Sequence, residues 1–232
     1  MEVSKRKPTI IEFNGLPGSG KTTMANLIKQ LLSRECVEVF HRYYKKPIHQ
    51  KTYTILANPK YWKLAAEIFS YCDNLPLSER LHYTISITGF VRMYHNFSKS
   101  RKQGLLLIDQ GIVQSFISVA FQEQLRKSDK IIQIIKTSKL CSLPLLIVNC
   151  DVKTTISSER IDQRPPKNCR ADSLNEKERQ KLLNVQEKNF SVLRGTFKNP
   201  SFHINQISVN TEDSVETNAE KIIKEYNRLS QL

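Results

Sequence analysis

Residues 9–23 read T-I-I-E-F-N-G-L-P-G-S-G-K-T-T. The first six form a short β-rich run, and a glycine turn follows at once. From Lys21 the pattern changes, with Met24, Leu27, Ile28, Leu31 and Leu32 recurring at helical spacing. Strand, glycine loop and helix thus follow in direct succession. Residues 15–22 match G-x-x-x-x-G-K-[ST] at every fixed position, in the strand-to-helix context that gives the pattern its meaning. Each position has a physical task. The glycines let the backbone approach phosphates with no Cβ in the way. Inward-turned N–H groups then form an anion nest. The following helix presents its positive N-terminal end. Gly15, Pro17, Gly18, Ser19, Gly20, Lys21, Thr22 and Thr23 are the expected triphosphate site. Lys21 reaches the β- and γ-phosphates, and Thr22 offers a hydroxyl to Mg²⁺.

Outward from this loop, strands and helices alternate. Residues 37–41 (V-E-V-F-H) read as a second strand. Pro59 can open a helix, residues 61–71 continue it, and 78–100 read as a long helix carrying Arg80, Arg92 and Lys99. Trp62 and Phe69 read as helix core. Residues 105–108 (L-L-L-I) and 145–148 (L-L-I-V) are short apolar runs, the pattern of strands buried on both faces. A helix is expected from Ile112, broken near Ser128, and another over 153–161. Residues 162–172 are charged, Pro-bearing and aperiodic, hence a loop. A helix over 173–194 follows, with Ser173 as N-cap and Glu176 three residues on. Residues 202–209 read as a final strand and 214–232 as a closing amphipathic helix. The alternation predicts an α/β domain with a parallel sheet covered on both faces. No repeat or two-domain linker interrupts it, so 1–232 reads as one domain.

Asp109 ends the run 105–108. Ligands of parallel sheets sit beyond the carboxyl ends of the strands, so a carboxylate there can hold Mg²⁺ directly or through water. The next residue is Gln110, where many motor ATPases carry a water-activating glutamate. Transfer to an acceptor other than water fits better. Arg160, Arg164 and Arg170 span a helix-to-loop turn. Arginines that close over a transferring phosphoryl group stabilise its charge and exclude water. Arg160 and Arg164 are four apart and share a face if the helix runs that far.

The chain has 232 residues and a formal net charge of +14, from 36 Lys and Arg against 22 Asp and Glu. That balance points to anionic partners such as nucleotides, phosphorylated metabolites or nucleic acid. The five cysteines include no C-x-x-C pair, and the five histidines show no metal-ligand spacing, which argues against a disulfide framework or a zinc ribbon. No secretory leader is visible, and no apolar run approaches the roughly 18 residues of a membrane span. A cytoplasmic protein is the expectation.

Three stretches together resemble the thymidylate-kinase-like branch of the P-loop nucleoside and nucleotide kinases. They are G-L-P-G-S-G-K-T-T at 15–23, L-L-I-D-Q-G at 106–111 and N-C-D-V-K-T-T-I-S-S-E-R-I-D-Q-R at 149–164. The resemblance implies a P-loop NTPase αβα sandwich with a five-stranded parallel sheet and a small lid at about 160–172. It also implies an ATP–Mg²⁺ donor. The catalytic set would be Lys21, Asp109, Arg160 and Arg164, with Thr22 and Asp109 on the metal. Adenine contacts would come from the lid arginines, Arg160 among them, and from the loop near 210–213, and family members often form homodimers. Two positions differ from the family pattern. Gln110 replaces the usual arginine, and 41–46 (H-R-Y-Y-K-K) lacks the acidic residue that accepts a substrate hydroxyl proton. Arg42, Tyr44 and Arg92 instead suggest a small anionic acceptor. Aromatic side chains between the second strand and the long helix could stack on a base.

The expected activity is therefore γ-phosphoryl transfer from ATP to a small anionic acceptor such as a nucleotide. A nucleic-acid end is an alternative acceptor, since phosphate contacts dominate such binding. A nucleotide-dependent switch is a third reading, although no N-K-x-D base-recognition motif occurs.

Overall fold

The computed structural model describes residues 9–32, 36–40, 58–99, 104–120, 128–165, 171–199, 202 and 204–231. The sheet is built from β1 (Thr9–Asn14), β2 (Cys36–Phe40), β3 (Leu105–Ile108), β4 (Leu145–Asp151) and β5 (Asn205–Asn210). The strands lie in the order β2-β3-β1-β4-β5, and every pairing is parallel. β1 is therefore flanked by β3 on one side and β4 on the other. This is the point where the strand order reverses, and it opens a crevice beyond the carboxyl end of β1. The glycine loop leaves β1 into that crevice.

Side chains of a strand alternate between faces, and both faces of β1, β3 and β4 are covered. Ile11, Phe13, Leu105, Leu107, Leu146 and Val148 pack against α1 (Lys21–Leu31) and α8 (Val215–Ser230). Ile10, Leu106, Ile108, Leu145 and Ile147 face the opposite layer. That layer holds α2 (Trp62–Tyr71), α3 (Leu77–Lys99), α4 (Ile112–Val119), α5 (Ser128–Ser138) and α7 (Glu176–Phe197). The short α6 (Thr154–Asp162) follows β4 and buries Ile161 in the same cluster. The expected three-layer arrangement with a parallel sheet is what the chain forms. Among the described residues, no helix is long and apolar enough to cross a membrane.

α3 is buried without a break from Tyr83 to Val91, as expected of a helix enclosed on every side rather than on one stripe. α2 is bound to α5 by polar contacts: Lys130 donates to the Ser70 carbonyl and to Asp73, and Thr137 donates to Glu67 at 2.9 Å. Trp62 is not core, because 55% of its surface is exposed. Phe69 is only partly buried, and the Arg80 guanidinium covers its ring at 3.6 Å. The periodicity of α2 places both residues on its flanks, where long cationic stems can substitute for core.

The helix expected over 153–161 forms as α6, and two expected starts move by more than a residue: the last strand begins at Asn205 rather than 202, and the helix expected from 173 begins later. α6 ends at Asp162, so Arg160 and Arg164 do not share a helical face. α7 begins at Glu176, and Asn175 is its cap rather than Ser173. The Asn175 side chain accepts from the Glu178 amide at 2.9 Å while Glu178 accepts from the Asn175 amide, a reciprocal capping box. The shift of two residues lets Arg179 donate to the Leu174 carbonyl and pair with Asp162, joining the ends of α6 and α7. Asn175→Ala is expected to cost about 1 kcal/mol of stability, read as a lower urea midpoint at unchanged m-value.

Candidate active site

The loop between β1 and α1 curls around the Lys21 ammonium. Lys21 Nζ donates to the Gly15 carbonyl at 2.8 Å, the Leu16 carbonyl at 2.7 Å and Ser19 Oγ at 3.2 Å. These oxygens hold the cation at the concave face of the loop, where bound phosphate oxygens would meet it. Gly18 adopts φ +78°, and a Cβ there would lie 2.8 Å from the Ser157 carbonyl of α6. The Ser157 hydroxyl also donates to the Pro17 carbonyl. The loop is therefore braced from behind by α6, and its glycine requirement comes as much from this packing as from the turn.

Thr22, at the start of α1, donates through Oγ1 to Asp109 Oδ2 at 3.1 Å. Asp109 follows β3 and is nearly buried. Two oxygens at this separation suit neighbouring corners of an octahedron, because metal–oxygen bonds of 2.0–2.1 Å put adjacent ligands about 2.9 Å apart. A hydroxyl and a carboxylate are also the hard donors that Mg²⁺ takes. The pair fits a magnesium ion bound directly or with one water between.

Arg160 reaches the other end of the site. It donates to Thr211 Oγ1 at 3.1 Å and to the Thr211 carbonyl at 2.9 Å, tying α6 to the turn after β5. Its Cβ would stand 3.4 Å from a Cβ at Gly18, so its stem lines the phosphate loop. Arg164 points elsewhere and pairs with Asp172 at 3.0 Å. The two arginines thus separate: one faces the loop and the β5 turn, the other joins the two ends of the segment between α6 and α7. Arg92 lies on α3 close enough to Tyr61 to act on it electrostatically. Arg42, Tyr44 and Arg170 lie outside the described residues.

Several groups had no motif to announce them. A cleft of about 340 Å³ opens beside Gly15 and Leu16, walled by Asp151 at the end of β4 and by Glu187, Lys188 and Arg194 of α7. Arg194 pairs with Asp151 across it. Asn14, the fully buried last residue of β1, has no hydrogen-bond partner for either amide atom among the described residues. Cys150, behind Gly15, is buried too, and burial pushes its thiol up to about 12, so it stays protonated and inert at neutral pH. Glu12 sits fully buried in β1, and desolvation raises its carboxyl to about 7 in spite of hydrogen bonds from Tyr94 and from backbone amides of α4. A charged residue inside an apolar strand is the one sequence signal that could have marked Glu12.

No family model matches the chain, and no curated protein matches it. Solved structures do. The structure of deoxyadenosine kinase from M. mycoides with bound dATP aligns at a TM-score of 0.53 and 15% identity, over 94% of this chain and 100% of that one. The same kinase with products dCMP and a flexible dCDP aligns at 0.50 and 17%, over 95% and 100%. At such identities the likeness is one of fold. The class that fold and loop define is a P-loop α/β protein with the architecture of a nucleoside kinase.

Gly18→Ala is expected to push α6 off the loop. Affinity for any nucleoside triphosphate held by the loop should fall by at least about tenfold, measured by titration calorimetry. The melting temperature should fall with it, because the added methyl group meets backbone rather than a flexible side chain.

Proposed function

We propose that the chain is an ATP-dependent phosphotransferase that moves the γ-phosphate to a small, anionic acceptor such as a nucleotide. The observation that carries this reading is the Thr22–Asp109 pair, set at the mouth of a loop whose concave face already holds the Lys21 ammonium. In this reading 1–232 forms a single P-loop kinase-like domain of the thymidylate-kinase-like branch, and 160–172 acts as its lid. The backbone from Gly15 to Gly20 and the first turn of α1, with Thr22 and Thr23, bind the triphosphate. Lys21 spans the β- and γ-phosphates. Thr22 and Asp109 hold Mg²⁺, which neutralises charge on the phosphates when bound.

Catalysis here is positioning and charge stabilisation. Arg160 is the better placed of the two lid arginines, because its stem lines the loop. Among the described residues its partners are a neutral hydroxyl and a carbonyl, so its charge can be offered to an anion. Arg164, neutralised by Asp172, holds the lid's ends together. Gln110 offers no carboxylate to activate water, which favours an acceptor over hydrolysis. Arg42, Tyr44 and Arg92 would hold the acceptor. Nucleotides and nucleosides are the first acceptors to try, since the structural neighbours carry dATP in one case and dCMP with dCDP in the other.

The test is Mg·ATP turnover against nucleoside monophosphates, nucleosides, sugar phosphates and short oligonucleotides. One acceptor class should stimulate ADP release and gain a phosphate, and Lys21→Ala should abolish both. Turnover that survives Lys21→Ala, or that no acceptor stimulates, would sink the reading. Arg160→Ala should lower kcat by about 10²-fold. Arg164→Ala should lower it less and should reduce thermal stability.

A further inference from the structure

Glu12 lies three residues before the phosphate loop and is enclosed completely. Its Oε2 accepts the Tyr94 hydroxyl of α3 at 2.6 Å, and its Oε1 accepts the Val113 amide of α4 at 2.7 Å. The amides of Ile112 and Gln114 also bear on it. These are first-turn N–H groups, which have no partner within their own helix. The N-cap residue of α4 is Gly111, which offers no side chain to satisfy them. A Cβ on Gly111 would lie 2.4 Å from the Tyr94 hydroxyl and 2.5 Å from the Glu12 carboxyl carbon. The carboxyl and the hydroxyl are thus pressed against the turn at 109–111, and a carboxylate from another strand supplies the cap that the turn lacks.

The position of that turn matters because Asp109 is its first residue. One end of it is fixed by the pairing of Ile108 with Glu12 in the sheet. The other end is fixed by Glu12 through α4. A single residue therefore holds both ends of the segment that carries Asp109, and the same residue sits on the strand that feeds the phosphate loop. We propose that Glu12 is a positioning residue for phosphoryl transfer, setting the Asp109 turn against the phosphate loop through its cap on α4. The proposal rests on the phosphotransferase reading above.

Ionised, Glu12 accepts at both oxygens as a charged acceptor; protonated, Oε2 can donate to the Tyr94 hydroxyl and Oε1 is left to the Val113 amide as a neutral, weaker acceptor, so the cap on α4 weakens. The groups around Glu12 leave it free to titrate in the working range. Among the described residues Tyr94 faces it from α3, backbone amides face it from α4 with Gly111 at that helix's cap, and its partners in the sheet are Ile108 and Ile147. Burial raises the carboxyl to about 7. A raised carboxyl stabilises the fold in its protonated form. That contribution is complete below the ordinary value of 4.5 and is lost as pH rises through about 7. The ionised cap is bought with fold stability, so a purely structural role and a positioning role predict opposite results for the isostere.

Glu12→Gln should leave the melting temperature at about pH 8 equal to or above the wild-type value, since it removes a buried charge and keeps the volume. It should also erase the fall in stability between pH 4.5 and about 7. The same variant should bind Mg·ATP about tenfold more weakly, with ATP affinity in the absence of metal unchanged. In wild type, Mg·ATP affinity should weaken below about pH 7 relative to Glu12→Gln, in which ATP's own protonation is the same. Tyr94→Phe should move that weakening to higher pH, because the Tyr94 hydroxyl lowers the Glu12 carboxyl. Amide exchange at Val113 in the nucleotide-free chain should quicken over the same range in wild type and should show no such step in Glu12→Gln. A Glu12→Gln chain that binds Mg·ATP like wild type overturns the proposal alone. A wild-type chain that binds no Mg·ATP overturns the phosphotransferase reading and the proposal with it.

Discussion

A carboxyl group enclosed by protein is costly unless donors surround it, and the neighbourhood of the phosphate loop is arranged about one such group, Glu12. β1 lies between β3 and β4, so both its faces are interior. Ile11 and Phe13 turn toward α1 and α8, while Ile10, Glu12 and Asn14 turn the other way. A polar residue on that second face can be accommodated only where donors converge. Such donors meet it here: the Tyr94 hydroxyl and the leading amides of α4 at Ile112, Val113 and Gln114. The need of the buried acid and the need of an uncapped helix are satisfied by the same hydrogen bonds. The result joins β1, α3 and α4 at one point directly beneath the site.

The loop's local reading and its tertiary setting differ in what they explain. Lys21, Thr22 and the glycines could be recognised because their chemistry is contained in consecutive residues: a turn, inward amides and a helix end. Asp109 could be placed because an apolar four-residue run ending in a carboxylate has few other meanings in a parallel sheet. The bracing of the loop by Ser157, by contrast, joins segments 140 residues apart in sequence. No spacing rule connects them.

Elsewhere the missing information was also non-local. Ser173 and Asn175 are both residues that cap helices, and each is followed three residues later by an acid. Local pattern cannot choose between them; the choice follows from Arg179 having to meet Asp162. Trp62 fits the helical period of its neighbours, yet it lies on a flank that leaves 55% of its surface exposed. The cleft beside Leu16 is assembled from the end of β4 and the distal half of α7, residues whose meeting only the fold determines. Glu12 was hidden differently. It was legible as a charge in an apolar run, but its partner Tyr94 is 82 positions away.

The arginines show why net charge is a poor guide to a site. The surplus of +14 suggests an excess of cations wherever arginines gather, but around α6 and α7 three of them are matched: Arg164 with Asp172, Arg179 with Asp162 and Arg194 with Asp151. A guanidinium paired with a carboxylate presents little net field to a phosphate, and separating the pair would expose both charges. Exchanging a carbonyl or hydroxyl partner for a phosphate oxygen costs only a neutral hydrogen bond and gains a charge-assisted one. Arg160, bonded only to the Thr211 hydroxyl and carbonyl among its described contacts, is in that second condition. The difference between an arginine that can turn to a ligand and one that holds two helices together lies in the charge of its partner, which the spacing of arginines along the chain does not reveal.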